Sequence, residues 1–167
     1  MAANERPPLV SAVLAKDIVE CRRLIDTGKA NVNGDRNQHG DTALHEASLK
    51  GYLEISELLT SSGADVNIRN IYGLTALRNA SYNGYLEIVQ LLLCQGAIMS
   101  FRDINGYTAL DYASSRDSLN CFKEVADCLS KWPWTMAIII ALKENLAVYH
   151  LLDASTIIDL WQYLGNQ

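Results

Sequence analysis

The tripeptide Thr-Ala-Leu begins at Thr42, Thr75 and Thr108, an interval of 33 residues each time. Longer frames keep the same interval: Asn37-Gln-His-Gly-Asp-Thr-Ala-Leu-His-Glu-Ala47, Asn70-Ile-Tyr-Gly-Leu-Thr-Ala-Leu-Arg-Asn-Ala80 and Asp103-Ile-Asn-Gly-Tyr-Thr-Ala-Leu-Asp-Tyr-Ala113. Gly51-Tyr-Leu-Glu-Ile recurs at Gly84, and Gly63-Ala-Asp-Val-Asn67 is echoed by Gly96-Ala97. A fixed period of this length marks a stacked array, because each unit is too small to bury its apolar face alone. Function is then to be sought on a surface rather than in a pocket.

One unit shows why these residues recur. Gly40 permits the positive φ of a tight turn, and Thr42 then stands where its hydroxyl caps the first turn of a helix. Ala43, Leu44 and Ala47 fall on one face of that helix. Gly51 ends it, since the left-handed conformation is cheap for glycine. A second helix is predicted from about Leu53 to Ser61, with Ile55, Leu58 and Leu59 as its buried stripe, and Gly63 closes it. Ala64-Asp-Val-Asn67 leads through a hairpin-like turn into the next unit.

These motifs resemble ankyrin repeats, whose family pattern reads Asp-x-x-Gly-x-Thr-Pro-Leu-His-x-Ala-Ala, then Gly-His, an apolar helix and Gly-Ala-Asp-Val-Asn. The likeness is strongest over 37–113. It implies an all-α ankyrin-repeat solenoid: paired antiparallel helices with projecting β-turn loops, followed by a C-terminal helical extension. The array is expected over 1–130, as a degenerate repeat 5–36 and repeats 37–69, 70–102 and 103–130. Alanine stands at 43, 76 and 109 where the family usually has proline, which forgoes a residue pre-set for the first helical position. His45 keeps the family histidine and is read as structural, tying its turn to the next. Arg78 and Asp111 replace it in the following repeats. In the fourth repeat Asp117 takes the place of Gly51 and Gly84, and aspartate tolerates a left-handed backbone better than most residues.

From Lys131 the period stops. Trp132-Pro-Trp-Thr-Met-Ala-Ile-Ile-Ile-Ala-Leu-Lys-Glu144 reads as a helix that is apolar nearly all round and needs cover on more than one side. A second helix is expected after Ser155, ending at Gly165. Residues 131–167 are either a cap shielding the last repeat or a docking segment for a second protein, with Trp132, Trp134, Ile139 and Trp161 as its possible interface and self-association as a further use. A helical tail after ankyrin repeats resembles, loosely, the suppressor-of-cytokine-signalling box or the F-box-like tails of viral ankyrin proteins, which recruit ubiquitin-ligase scaffolds. The first template expects a cysteine near Ile140 and a Leu-Pro pair near Leu152, and neither is present.

Composition narrows the chemistry. The net charge of −5 over 167 residues leaves no basic stripe for phosphates, which argues against nucleic acid as the ligand. Met1 to Pro8 has no apolar run of the signal-peptide kind. The longest uncharged apolar stretch, Trp132 to Leu142, is about half of the roughly 20 residues a membrane-spanning helix requires. A cytoplasmic protein is expected, with the nucleus open. The cysteines Cys21, Cys94, Cys121 and Cys128 match no common zinc or redox spacing and are read as reduced thiols, Cys94 in a core helix position. No nucleophile, base and orienting group occur together, and the glycines punctuate helices rather than cradle phosphates, so neither catalysis nor a cofactor is expected.

In ankyrin-like arrays the turn tips and the outer side of the first helix line a concave groove. By register these positions are Gln38, His39, Asp41, Glu46, Leu49 and Lys50 in the second repeat, and Ile71, Tyr72, Leu74, Asn79, Tyr82 and Asn83 in the third. The fourth supplies Ile104, Asn105, Tyr107, Tyr112, Ser115 and Arg116. Four of the eight tyrosines collect in the last two sets. Tyrosine offers large contact area at low entropy cost and is frequent in binding hot spots. A partner protein is therefore expected on Ile71, Tyr72, Leu74, Tyr82, Ile104, Tyr107, Tyr112 and Arg116. Tyr52 and Tyr85, at the start of second helices, are read as structural. Asn67 resembles the residue that asparaginyl hydroxylases modify in ankyrin proteins.

Overall fold

A computed structural model describes residues 7–114 together with 127, 128, 130 and 131. The chain divides into two parts, Met1–Asp127 and Cys128–Gln167. In the second part, residues 128, 130 and 131 are helical and Cys128 is buried.

Among the described residues of the first part are seven helices: α1 Pro8–Leu14, α2 Ile18–Asp26, α3 Ala43–Lys50, α4 Leu53–Ser61, α5 Ala76–Asn83, α6 Leu86–Cys94 and α7 Ala109–Ser114. The one β-pairing among them is an isolated bridge between Arg36 and Thr42 at the base of a turn. Helices α1, α3, α5 and α7 pack side by side as an inner row, and α2, α4 and α6 form a second row behind them. The apolar spacing accounts for this layering. Leu44 and Ala47 of α3 and Ile55, Leu58 and Leu59 of α4 are buried, and Leu77, Ala80, Ile88 and Leu92 repeat the arrangement one period on. Cys94 departs from its expected place. As the last residue of α6, just past the buried Leu92 and Leu93, it is exposed.

Paired helices reverse direction through a left-handed residue. Gly51 fills that place between α3 and α4 at φ 75°, and Gly84 between α5 and α6 at φ 74°. The first pair puts Lys16 there, at φ 56°. Its ammonium stands 5.3 Å from the centre of the Tyr52 ring. A side chain in this conformation costs about 1 kcal/mol or more relative to glycine, while an exposed cation–π contact returns less. Lys16→Gly is expected to change stability by less than about 0.5 kcal/mol, because the relieved strain is offset by the lost ring contact and the larger unfolded-state entropy of glycine. The urea midpoint measures it, and a midpoint lowered by more than that would mean that the ring contact outweighs the strain.

The projecting tips are built by one repeated device. The side-chain Oδ1 of Asn37 accepts the N–H groups of His39 and Asp41, at 2.8 and 3.0 Å. Asn70 does the same for Tyr72 and Leu74, and Asp103 for Asn105 and Tyr107. A short side-chain acceptor closes the turn on itself, which is why Asn or Asp opens each frame. Adjacent tips are then joined through the backbone: Ile71 N–H donates to His39 C=O, and Ile104 N–H to Tyr72 C=O, both at 3.1 Å. Behind the tips, the Asn33 amide donates to Gly63 C=O and accepts from Asp65 N–H, and Asn67 clasps Gly96 C=O and Ile98 N–H in the same way. Among the described residues, no helix is long and apolar enough to cross a membrane.

Candidate protein-binding face

The tips and inner helices of the third and fourth repeats carry most of the residues singled out above. Ile71 is 63% exposed, Ile104 68%, Tyr107 54% and Tyr72 40%. Ile71 and Ile104 hold the same register on neighbouring tips, and the Tyr72–Ile104 backbone bond fixes their separation. Tyr72 lies against His39 of the preceding tip, ring centres 6.0 Å apart, with its hydroxyl 3.4 Å from Nδ1.

Leu74, Tyr82 and Tyr112 are half-buried rather than open to solvent. The two rings are covered by Arg78, whose guanidinium carbon lies 4.0 Å from the centre of the Tyr112 ring and 4.7 Å from that of Tyr82. Tyr112 also meets Tyr82 and Tyr107 edge-on, each at 5.7 Å between centres. Its hydroxyl donates to Asp103 Oδ2 at 2.5 Å. Burial pushes the Asp103 carboxyl up, but the Tyr112 hydroxyl, the amides of Tyr107 and Asn105 and the nearby charge of Arg78 outweigh it and hold its pKa below the ordinary value. The sequence signal for this cluster is an arginine at the register of His45 with tyrosines four and thirty-four residues later. Asn79, expected on the open face, is buried, and its amide donates to His45 C=O at 3.3 Å. Arg116, like Ser115, lies outside the described residues, as do Trp132, Trp134, Ile139 and Trp161.

The three residues in the histidine register perform three different tasks. His45 Nδ1 accepts from Thr42 N–H at 3.2 Å, so the proton is on Nε2, which donates to Leu74 C=O of the next repeat at 3.1 Å. This is the structural tie expected of it. Arg78 leaves the capping to Thr75 alone, whose Oγ1 accepts from Arg78 N–H. Asp111 caps in the other sense, accepting from both the N–H and the hydroxyl of Thr108 at 2.7 Å. These contacts hold its pKa below the ordinary value. Burial, with the charges of Asp17 and Glu20, pushes the Cys21 thiol up to about 11, where it is an inert core group. Among the described residues no set of three His, Cys, Asp or Glu side chains is arranged to hold a metal ion.

Paired helices in two rows, joined by stacked tips, define a helical-repeat protein whose exposed elements recur at a fixed interval. A family model described as ankyrin repeats, three copies, matches residues 1–70 and again 56–131, and the chain belongs to the ankyrin-repeat family. Such repeats are protein-interaction modules and are generally not enzymes. A probable E3 ubiquitin-protein ligase, XBOS33 of Oryza sativa subsp. japonica, is 41% identical over 68 residues. The match takes in 41% of this chain and spans 13% of the length of the rice protein.

Proposed function

We propose that the protein binds a partner protein through the tips and inner helices of its third and fourth repeats, and that binding is its whole task, with no catalytic step. The observation that supports this is the run of exposed apolar and aromatic side chains, Ile71, Tyr72, Ile104 and Tyr107, on two tips joined by a backbone hydrogen bond. A contiguous patch of this kind on a folded surface is a liability unless something covers it. Leu74, Tyr82 and Tyr112 form its floor, and Arg116 would extend it by register.

The test is a variant with Ile71, Tyr72, Ile104 and Tyr107 all changed to serine, which leaves the half-buried rings in place. Affinity purification with the intact chain is expected to recover a defined partner, and the variant to bind that partner at least tenfold more weakly, as loss of even one hot spot would give. Equal recovery by a folded variant would overturn the reading. A second reading makes the chain an adaptor that recruits substrates to a ubiquitin ligase, with residues 131–167 docking the ligase scaffold. It is favoured by the identity shared with a probable ubiquitin-protein ligase. A chain lacking 131–167 that folds and keeps one partner while losing another would support it; loss of neither would remove it. The reading places the protein in the cytoplasm or nucleus, with the tail's alternative roles as cap or self-association surface decided by the same truncation.

A further inference from the structure

We infer that the partner presents an Asp or Glu carboxylate to Arg78, flanked by apolar side chains that cover Ile71 and Ile104. This rests on the reading of that face as the partner's. Arg78 is half-buried on α5, held against two tyrosine rings, yet its hydrogen-bonding capacity is almost unspent. Its one side-chain hydrogen bond runs from Nη1 to Asn79 Oδ1 at a long 3.4 Å, and its buried Nε has no acceptor. The only ion pair among the described residues is that of Arg23 with Glu20, on α2. The Asp103 carboxylate is near enough to feel the charge of Arg78, but no hydrogen bond joins the two. A half-buried guanidinium with no carboxylate on its donors is costly, and it is the group best shaped to receive one in a bidentate fork.

The surrounding acids are in the opposite condition. Asp41 accepts from the amides of Asn37 and Asn70, and Glu46 from Asn37. Asp103 and Asp111 are capped as described above. An arriving carboxylate therefore meets one guanidinium with donors to spare, among acids whose charge is already spread over internal donors. The two rings also restrain Arg78 before binding, so less side-chain freedom is lost on contact.

The experiment pans a random peptide-display library on the intact chain and discards peptides that bind the four-serine tip variant equally well. The retained peptides are expected to carry Asp or Glu beside aliphatic or aromatic residues. One such peptide, synthesised, should bind Arg78→Gln at least tenfold more weakly than the parent chain. Its own acid-to-amide variant should lose a similar factor, and the two losses together should not add. That non-additivity separates direct contact from a structural effect of the substitution, which would weaken acid and amide peptides alike. Should Arg78→Gln fail to fold, Arg78→Lys keeps a cation over the rings and is expected to lose severalfold. Retained peptides without acids, a preference for phosphorylated over acidic peptides, or equal weakening of the acid and amide forms would overturn the inference while leaving the face intact. A library giving no peptide sensitive to the tip variant would overturn both.

Discussion

Leu77→Ala is expected to remove about 3 kcal/mol of folding stability, the size typical of a leucine truncated at a fully enclosed site. Leu77 is 1% exposed and lies on α5, which packs against α3, α6 and α7. In a stacked array stability is the sum of repeat terms and nearest-neighbour terms, so a cavity in an interior repeat weakens its own helix pair and both joints beside it. Against a total of roughly 5–15 kcal/mol for a domain, such a loss leaves little reserve. Urea unfolding followed by circular dichroism measures it. A loss below about 1 kcal/mol would mean that the repeat closes around the vacancy, contrary to the tight spacing that a periodic frame imposes.

The second large effect is at His45. His45→Ala strands the Thr42 N–H, removes one of the two donors to Leu74 C=O, which keeps that of Asn70 N–H, and opens a cavity between two repeats. Together these are expected to cost about 2–3 kcal/mol at neutral pH. The parent chain should also be acid-sensitive here. Burial lowers the His45 pKa, ahead of the opposing backbone bond to Leu74. The unfolded histidine, with a pKa of about 6.5, then takes up its proton first as pH falls. The histidine's contribution is full above that value and is lost progressively below it, until the folded-state pKa is passed. A second proton would enter at Nδ1, against the Thr42 N–H. Urea midpoints at pH 7.5 and pH 5 should therefore differ more for the parent than for His45→Gln. Parallel pH profiles would sink this assignment.

The frame of the fold was legible because glycine and threonine punctuate it at fixed distances: Gly51 and Gly63 bracket α4, whose bounds Leu53–Ser61 agree with the expected ones. The backbone strain at Lys16 was not, since a lysine gives no sign that it holds a place glycine takes elsewhere. The candidate face was legible only as a list of register positions. Two of its tyrosines are covered by Arg78, whose contact with Tyr112 crosses from one repeat to the next. Asn79 deceived for a similar reason, because its amide turns back to a carbonyl of the preceding repeat. Beyond Lys131 no period remains to supply a register.

The asparagine clasps have a mechanical consequence. Asn33 and Asn67 each lock one repeat to the next with a donor and an acceptor on a single rigid amide, a linkage that tolerates little rotation. One period further on the residue is Ser100, which has no amide. The described links between the third and fourth repeats are of another kind: the backbone bond from Ile104 N–H to Tyr72 C=O and the stacking of Arg78 on Tyr112. The joint between the second and third repeats is thus held twice, by the tip bond from Ile71 N–H to His39 C=O and by the Asn67 clasp behind it, so hinging that opens one of these contacts is opposed by the other.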